Sequence, residues 1–176
     1  MLEGKNVNLR LMEKEDLALF AEWVSNPEFH GQFARLRQKS MAELEKQYDT
    51  LPPETKWFII EKKDLSEIGY IEHHSFDKCW EISYALVPNE RGKGYCTEAV
   101  KIIVDYLFLS RDMVRVQAHT DARNLASQKV LEKAGFKREG ILRKYTFAEG
   151  EWRDNILYSI LRHEWKDPKI LTKATT

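Results

Sequence analysis

Cysteine is scarce in this chain. Cys79 and Cys96 are the only two among 176 residues, and neither has a second cysteine or a histidine beside it at metal-ligand spacing. A disulfide framework and a zinc site are therefore not expected, no metal is assigned, and two reduced thiols are the simplest reading. Net charge is lacking as well: 28 Lys and Arg balance 28 Asp and Glu. No overall field then draws the chain to nucleic acid or to an anionic membrane. Long apolar runs are missing too. Stretches such as Trp57–Ile60 and Ile102–Val104 fall far short of the roughly 20 residues that span a bilayer, and Met1–Asn6 does not lead into a signal-peptide core. A cytoplasmic protein without nucleic-acid or membrane partners is expected, either alone or as a homodimer. With no repeat, low-complexity tract or linker, one domain over 1–176 follows, with a core of about 7–165 and a tail over 166–176. A hydrophobic share of 43% beside 32% charged residues is enough to build a packed core.

What is present is a regular alternation of elements. Val7–Leu11 alternates as a strand does. Glu15–Ser25 spaces Leu17, Phe20, Ala21 and Val24 as a helix until Asn26-Pro27 stops it. Ser40-Met41-Ala42-Glu43 has the form of a capping box, opening a helix that runs to about Leu51. Three strands follow, Trp57–Glu61, Ile68–His73 and Trp80–Val87. The last puts Trp80, Ile82, Tyr84 and Leu86 on one face and Glu81, Ser83, Ala85 and Val87 on the other. A helix over Cys96–Leu109, a strand over Val114–His119, a helix over Leu125–Ala134 closed by Gly135, and strands near Ile141–Phe147 and Trp152–Leu161 complete the chain. The order β-α-α-β-β-β-α-β-α-β-β predicts an α/β fold. Its sheet is mixed: three consecutive antiparallel strands, then one parallel strand-helix-strand crossing.

Between the strand ending at Val87 and the next helix lies Pro88-Asn89-Glu90-Arg91-Gly92-Lys93-Gly94-Tyr95-Cys96-Thr97-Glu98-Ala99. Free N–H groups at a helix start attract anions, glycine lets a ligand approach the main chain, and Arg91 and Lys93 add positive charge. This is the chemistry of a pyrophosphate cradle. A Walker loop would need Ser or Thr after Gly-Lys, where Gly94 stands. A dinucleotide fingerprint would need a third glycine in place of Thr97. Two glycines alone fit a tight turn without a ligand better.

The surrounding residues are more specific. Arg91-Gly92-Lys93-Gly94-Tyr95-Cys96 resembles the Gln/Arg-x-x-Gly-x-Gly/Ala signature of the GCN5-related N-acetyltransferases, the GNAT superfamily, with Cys96 in the place of Gly or Ala. Gly-Lys-Gly-Tyr-x-Thr-Glu-Ala is similar to the branch that holds ribosomal-protein N-terminal and spermidine acetyltransferases. Further on, Asn124-Leu125-Ala126-Ser127 with Gly135-Phe136 resembles the family's Asn-x-x-Ser…Gly-Phe helix, and Gly150-Glu151-Trp152-Arg153-Asp154 a turn of the same branch. The resemblance runs from Val7 to about Trp165 and is weakest between Asn26 and Lys56, where such proteins build their acceptor site. It implies a GNAT-like mixed central sheet flanked by helices, acetyl-CoA (coenzyme A) as cofactor, and direct transfer of acetyl to a primary amine. The amine would belong to a protein N-terminus, a polyamine or another small molecule. It also implies that Leu86, Val87, Arg91, Gly92, Lys93, Gly94, Tyr95, Cys96 and Thr97 hold the cofactor through the loop amides. Asn124 would bind the pantetheine arm, with Ser127 near the sulfur.

Transfer to an amine sets three demands. The amine must be neutral to attack, although a lysine-like amine has a pKa of about 10.4. The developing oxyanion needs a donor, and the departing thiolate is helped by a hydroxyl. Glu81 is the first candidate base, on a strand face otherwise lined by Ser83 and Ala85. It also matches, by resemblance, the glutamate of histone-acetylating relatives. His119 is the alternative. His73 and His74 point oppositely, so at most one faces the site. Tyr145 is the candidate acid by its spacing from Gly135-Phe136 in relatives, with Ser127 as runner-up. Glu43, Glu45 and Asp49 could attract a cationic amine, but fit a solvated helix face better. A non-catalytic acyl-CoA-binding module would keep Gly92, Gly94 and Asn124 without needing Glu81 or Tyr145.

Overall fold

The computed structural model describes residues 1–33, 35, 38–76, 79–166, 168 and 170. Eight strands form one sheet in the order β1-β2-β3-β4-β5-β6-β8-β7. They are β1 (Leu2–Glu3), β2 (Val7–Leu11), β3 (Lys56–Lys62), β4 (Glu67–Phe76), β5 (Cys79–Leu86), β6 (Arg115–Asp121), β7 (Lys137–Ala148) and β8 (Glu151–Leu161). The helices are α1 (Leu17–Ser25), α2 (Pro27–His30), α3 (Met41–Asp49), α4 (Tyr95–Ser110) and α5 (Leu125–Lys133). Only β5 and β6 run parallel; the other pairings are antiparallel, as the chain order predicts. No described helix is long and apolar enough to cross a membrane. Neither cysteine is in a disulfide.

Local chemistry sets the element ends. Ser40 and Glu43 form the expected reciprocal box, with Ser40 N donating to Glu43 Oε2 at 2.7 Å and Glu43 N to Ser40 Oγ at 3.3 Å. The expected start of α1 at Glu15 is instead a 3-10 turn over Lys14–Asp16, because the Asp16 carboxylate is turned back onto Glu13 N. α1 stops at Asn26 as expected, and the same residue starts a further turn: its side chain accepts from Glu28 N at 2.9 Å and, with Pro27 at the first position, opens the short α2. The two-residue β1 was not expected either; it pairs with β2. The strand expected over Val114–His119 begins one residue later, at Arg115, and Val114 is exposed.

The sheet separates two apolar layers. β3 shows why: Phe58 and Ile60 pack with α4 on one side, while Trp57 and Ile59 pack with α1 and α3 on the other. Each such fully buried side chain contributes about 1.5–3 kcal/mol. α4 is fastened at both ends. Glu98 in its first turn accepts from Asn6 N at 2.8 Å and Asn6 Nδ2 at 2.7 Å. Asp105, near its other end, accepts from Trp165 Nε1 at 2.7 Å and Ile170 N at 3.0 Å.

β5 and β6 pair only at Trp80↔Val116 and Glu81↔Gln117. Beyond these positions β5 continues along β4 and β6 along β8, so the two strands part. Val87 N donates to Ile68 O at 2.9 Å, which fixes the phase of the β4–β5 ladder. By antiparallel alternation, Tyr84 and Leu86 then turn their N–H and C=O toward the gap, where Leu86 O accepts from Arg91 Nε at 3.0 Å. An open backbone edge results in the middle of the sheet.

One core residue has an evident pH signature. His73 is fully buried between the rings of Phe58, Trp80 and Tyr106, and neither ring nitrogen has a hydrogen-bond partner among the described residues. Burial, then the nearby Arg111, Lys56 and His74, push its pKa down to about 4. A depressed histidine contributes stability that is full above its unfolded pKa of about 6.5 and is lost as pH falls toward its folded value. The shift corresponds to about 3 kcal/mol. Urea unfolding of the wild type is therefore expected to weaken by up to that amount between about pH 6.5 and 4, while His73→Leu loses markedly less over the same window. Parallel curves for the two proteins would refute this.

Candidate active site

Two cavities open where β5 leaves β6. One, of about 480 Å³, is lined by β4, β5 and β6 together with Tyr145, Thr146 and Asn155 of the β7–β8 hairpin. The other, of about 600 Å³, runs from β5 past α5 to the loop before α4. Phe33, Tyr84, Ala85, Asn124 and Ser127 line both, so the two meet there.

Glu81 lies in the first cavity with only 14% of its side chain exposed. Its Oε1 is 3.2 Å from His119 Nε2 and 3.9 Å from His74 Nε2. Its Oε2 accepts from Gln117 Nε2 at 2.9 Å. Gln117 is oriented in turn by Arg115, whose Nε and Nη2 each reach Gln117 Oε1 at 3.2 Å. Burial acts to raise the Glu81 carboxyl, but the His119 and Gln117 hydrogen bonds and the imidazole charges outweigh it, holding it below the usual carboxylate range. Asn155 Nδ2 sits 2.8 Å from His119 Nδ1 and donates to Thr146 Oγ1 at 3.0 Å. With Asn155 donating, His119 Nδ1 accepts and Nε2–H points at Glu81. Of the two adjacent histidines, His74 faces the site and His73 the core, as strand alternation requires.

The cradle is formed by Gly92 at φ 77° and Gly94 at φ 89°, followed at once by α4. No side chain caps that helix start. A Cβ added at either glycine would meet no atom of the protein within 4 Å. Gly92, Gly94, Cys96 and Thr97 line the second cavity, as does Leu86; Val87, Lys93 and Tyr95 do not. Val87 and Tyr95 pack against the core instead, and Lys93 is paired with Glu90 at 3.0 Å. Cys96 packs against the core beneath the loop, and burial pushes its thiol up to about 12.

Arg91 lines the second cavity and also braces the chain above it. Its Nε donates to Leu86 O at 3.0 Å, and its Nη2 donates to Phe29 O and, at 3.3 Å, to Glu28 O. The segment over 27–33, which crosses above the gap, is thereby held from below. Arg153, on β8, holds the other end of that segment by donating to Gln32 O, while pairing with Glu149 and Glu151. Further cations without an ion-pair partner among the described residues stand on α5, where Lys129 and Lys133 line the second cavity one turn apart.

Asn124 caps α5, accepting from Ser127 N at 3.0 Å, and also lines both cavities. The cap uses only its oxygen, so its amide N–H groups are without a partner among the described residues. Tyr145 lies on β7 with its ring edge-on to His119, centroids 4.7 Å apart, and is 44% exposed. It lines the first cavity and not the second, so it stands beside the proposed base. Glu43 is committed to its cap and Asp49 to Lys14, and α3 lines neither cavity. Tyr84, Gln117, Asn155 and Phe33 were not singled out from sequence. Only Tyr84 left a trace there, through its place on β5 two residues from Leu86. Among the described residues no group of His, Cys, Asp and Glu could hold a metal ion.

A parted sheet, an uncapped helix start behind two glycines, and an acid–imidazole pair at the far end define an acyltransferase of the acyl-CoA type. Residues 6–137 match the family described as "Acetyltransferase (GNAT) domain". The chain is 33% identical over 178 residues to the probable N-acetyltransferase YjcK of Bacillus subtilis, covering 92% of this chain and 97% of that protein. It is 29% identical over 101 residues to the [ribosomal protein uS5]-alanine N-acetyltransferase of Escherichia coli, covering 57% of this chain and 52% of that one. Its fold is similar to the spermidine N-acetyltransferase of Vibrio cholerae, solved with CoA and spermine. The TM-score is 0.80 at 23% identity, covering 90% of this chain and 97% of that chain. The chain belongs to the GNAT acetyltransferase family, enzymes that transfer the acetyl group of acetyl-CoA to an amine.

The residues fit that cofactor: the glycines leave the loop amides bare, the gap-facing edge of β5 offers main-chain partners, and two lysines flank the channel. Because a Cβ at Gly92 meets only the space outside the protein, Gly92→Ala is expected to cost about 1–2 kcal/mol of stability through its positive φ. Calorimetric titration should show at least about a tenfold loss of CoA affinity, the size of one lost charge-assisted hydrogen bond. Unchanged affinity would place the diphosphate elsewhere.

Proposed function

We propose that the enzyme transfers acetyl directly to a primary amine held in the Glu81 cavity, without a covalent acyl-enzyme. The reading is carried by the Glu81–His119 pair, which shares a cavity that joins the cofactor channel at Tyr84 and Ser127. Acetyl-CoA supplies an acyl group activated as a thioester. Asn124 and the gap-facing groups of β5 orient the acyl arm, while the amides behind Gly92 and Gly94 hold the diphosphate. Cys96 is unsuited to nucleophilic attack, since its raised pKa keeps it a neutral thiol.

Glu81 is ionised at neutral pH because its carboxyl is held low. It attracts a protonated amine, together with Glu72 on the neighbouring strand in the same cavity. It is too weak a base to strip a free ammonium of pKa about 10.4, which at pH 7 is neutral in only about one molecule in a few thousand. The neutral amine therefore attacks, its nitrogen becomes strongly acidic as the C–N bond forms, and Glu81 Oε1 takes the proton. His119, locked by Asn155, holds the carboxylate in place and offers a path outward for that proton. The two carboxylates favour a cationic acceptor, either a polyamine-like small molecule or a peptide N-terminus.

With a panel of such amines and thiol release as the signal, Glu81→Gln is expected to lower kcat by about 10²- to 10⁴-fold while CoA affinity stays the same. Since Glu81 is already ionised, kcat/KM of the wild type should rise about tenfold per pH unit from about pH 6 to 9 for a lysine-like amine, following the acceptor. Tight CoA binding without turnover of any amine would favour a non-catalytic acyl-CoA module and overturn the proposal.

A further inference from the structure

The point where the two cavities meet carries only two side-chain hydroxyls, and they touch. Tyr84 reaches across the gap from β5 to α5, its hydroxyl 3.0 Å from Ser127 Oγ and 3.4 Å from Ser127 O. Tyr145, the other hydroxyl considered for the leaving group, lines the acceptor cavity alone. Ser127 is fixed from a second side, since its N–H is held by Asn124 Oδ1. A serine hydroxyl has one proton and can spend it on any acceptor in reach. If it donated to Tyr84, the serine proton would be lost to the channel, and the Tyr84 O–H would be left to turn to Ser127 O at 3.4 Å.

We infer that Tyr84 is a positioning residue for Ser127: it donates its O–H to Ser127 Oγ, so that the serine proton points into the channel and solvates the departing thiolate. The inference rests on the acetyl transfer proposed above. Burial, with the neighbouring Cys96, holds the Tyr84 hydroxyl far above the ordinary tyrosine range, so it stays a donor at every working pH. In the step served, the amine nitrogen bonds to the acyl carbon and the carbon–sulfur bond breaks. The electron pair stays on sulfur, stabilised by Ser127 O–H, and the amine proton goes to Glu81. The thiolate later takes a proton from water. Neither Tyr84 nor Ser127 loses its own. The parting of β5 from β6 makes this contact available, because a paired β6 would fill the space the ring crosses.

The test needs no acceptor amine, which separates its failure from failure of the proposed reaction. Titration calorimetry of CoA and of S-methyl-CoA between about pH 7 and 9.5 isolates the sulfur, whose thiol titrates near 8.5 by analogy with cysteine. Wild type is expected to gain about tenfold in affinity for CoA over S-methyl-CoA as the thiolate forms, the scale of a charge-assisted hydrogen bond. Tyr84→Phe should gain about twofold or less, and Ser127→Ala should likewise lose the preference with Tyr84 still present. In turnover, Tyr84→Phe should lower kcat about tenfold with the KM for acetyl-CoA unchanged, but less than about twofold in the Ser127→Ala background, since its effect runs through the serine. An unaltered thiolate preference in Tyr84→Phe, or the same kcat loss with and without Ser127, would overturn the assignment.

Discussion

The shortness of the β5–β6 ladder governs this molecule. Two register pairs are enough to set the strands parallel and to place Glu81 beside Gln117, after which the strands separate. A sheet interior normally leaves no backbone group unpaired. Here a stretch of β5 is unpaired on one side in the centre of the sheet, and that edge becomes the floor of the channel. The two cavities lie on this floor, Tyr84 spans it, and the loop of Gly92 and Gly94 closes one end.

Charge is distributed around that channel in an instructive way. Arg91, exposed and lining the second cavity, and the buried Arg153 both serve the main chain. They hold the carbonyls of the segment over 27–33 from opposite ends, and so roof the channel. Flexible lysines line the channel, and carboxylates with imidazoles occupy the acceptor end. Planar, multi-donor guanidinium suits fixed backbone acceptors, whereas a single ammonium suits a ligand that comes and goes.

Much of this was legible from sequence. The strand–loop–helix at Leu86–Ala99, the capped helix at Asn124, the three-strand run and the β7–β8 hairpin all follow from alternation, turn residues and caps, which are local. Glu81 was legible because strand parity puts it among small residues. The partners of Glu81 were not, since Gln117, His119 and Asn155 come from β6 and β8, whose pairing order a chain reading does not disclose. The second duty of Arg91 was hidden for the same reason, since two of its acceptors belong to α2, about sixty positions away. Tyr84 drew no notice because parity names a face and cannot reveal that the face opens onto a gap.

The two anchors of α4 carry a consequence for recognition. Asn6 is bonded to Glu98 just beyond the helix's first residues, and the C-terminal segment returns to bond Asp105. The uncapped amides behind Gly92 and Gly94 thus belong to a rod clamped at two points by segments far from it in sequence. Such a helix start is ordered by folding itself, which is the condition under which a ligand binding there would freeze little further motion.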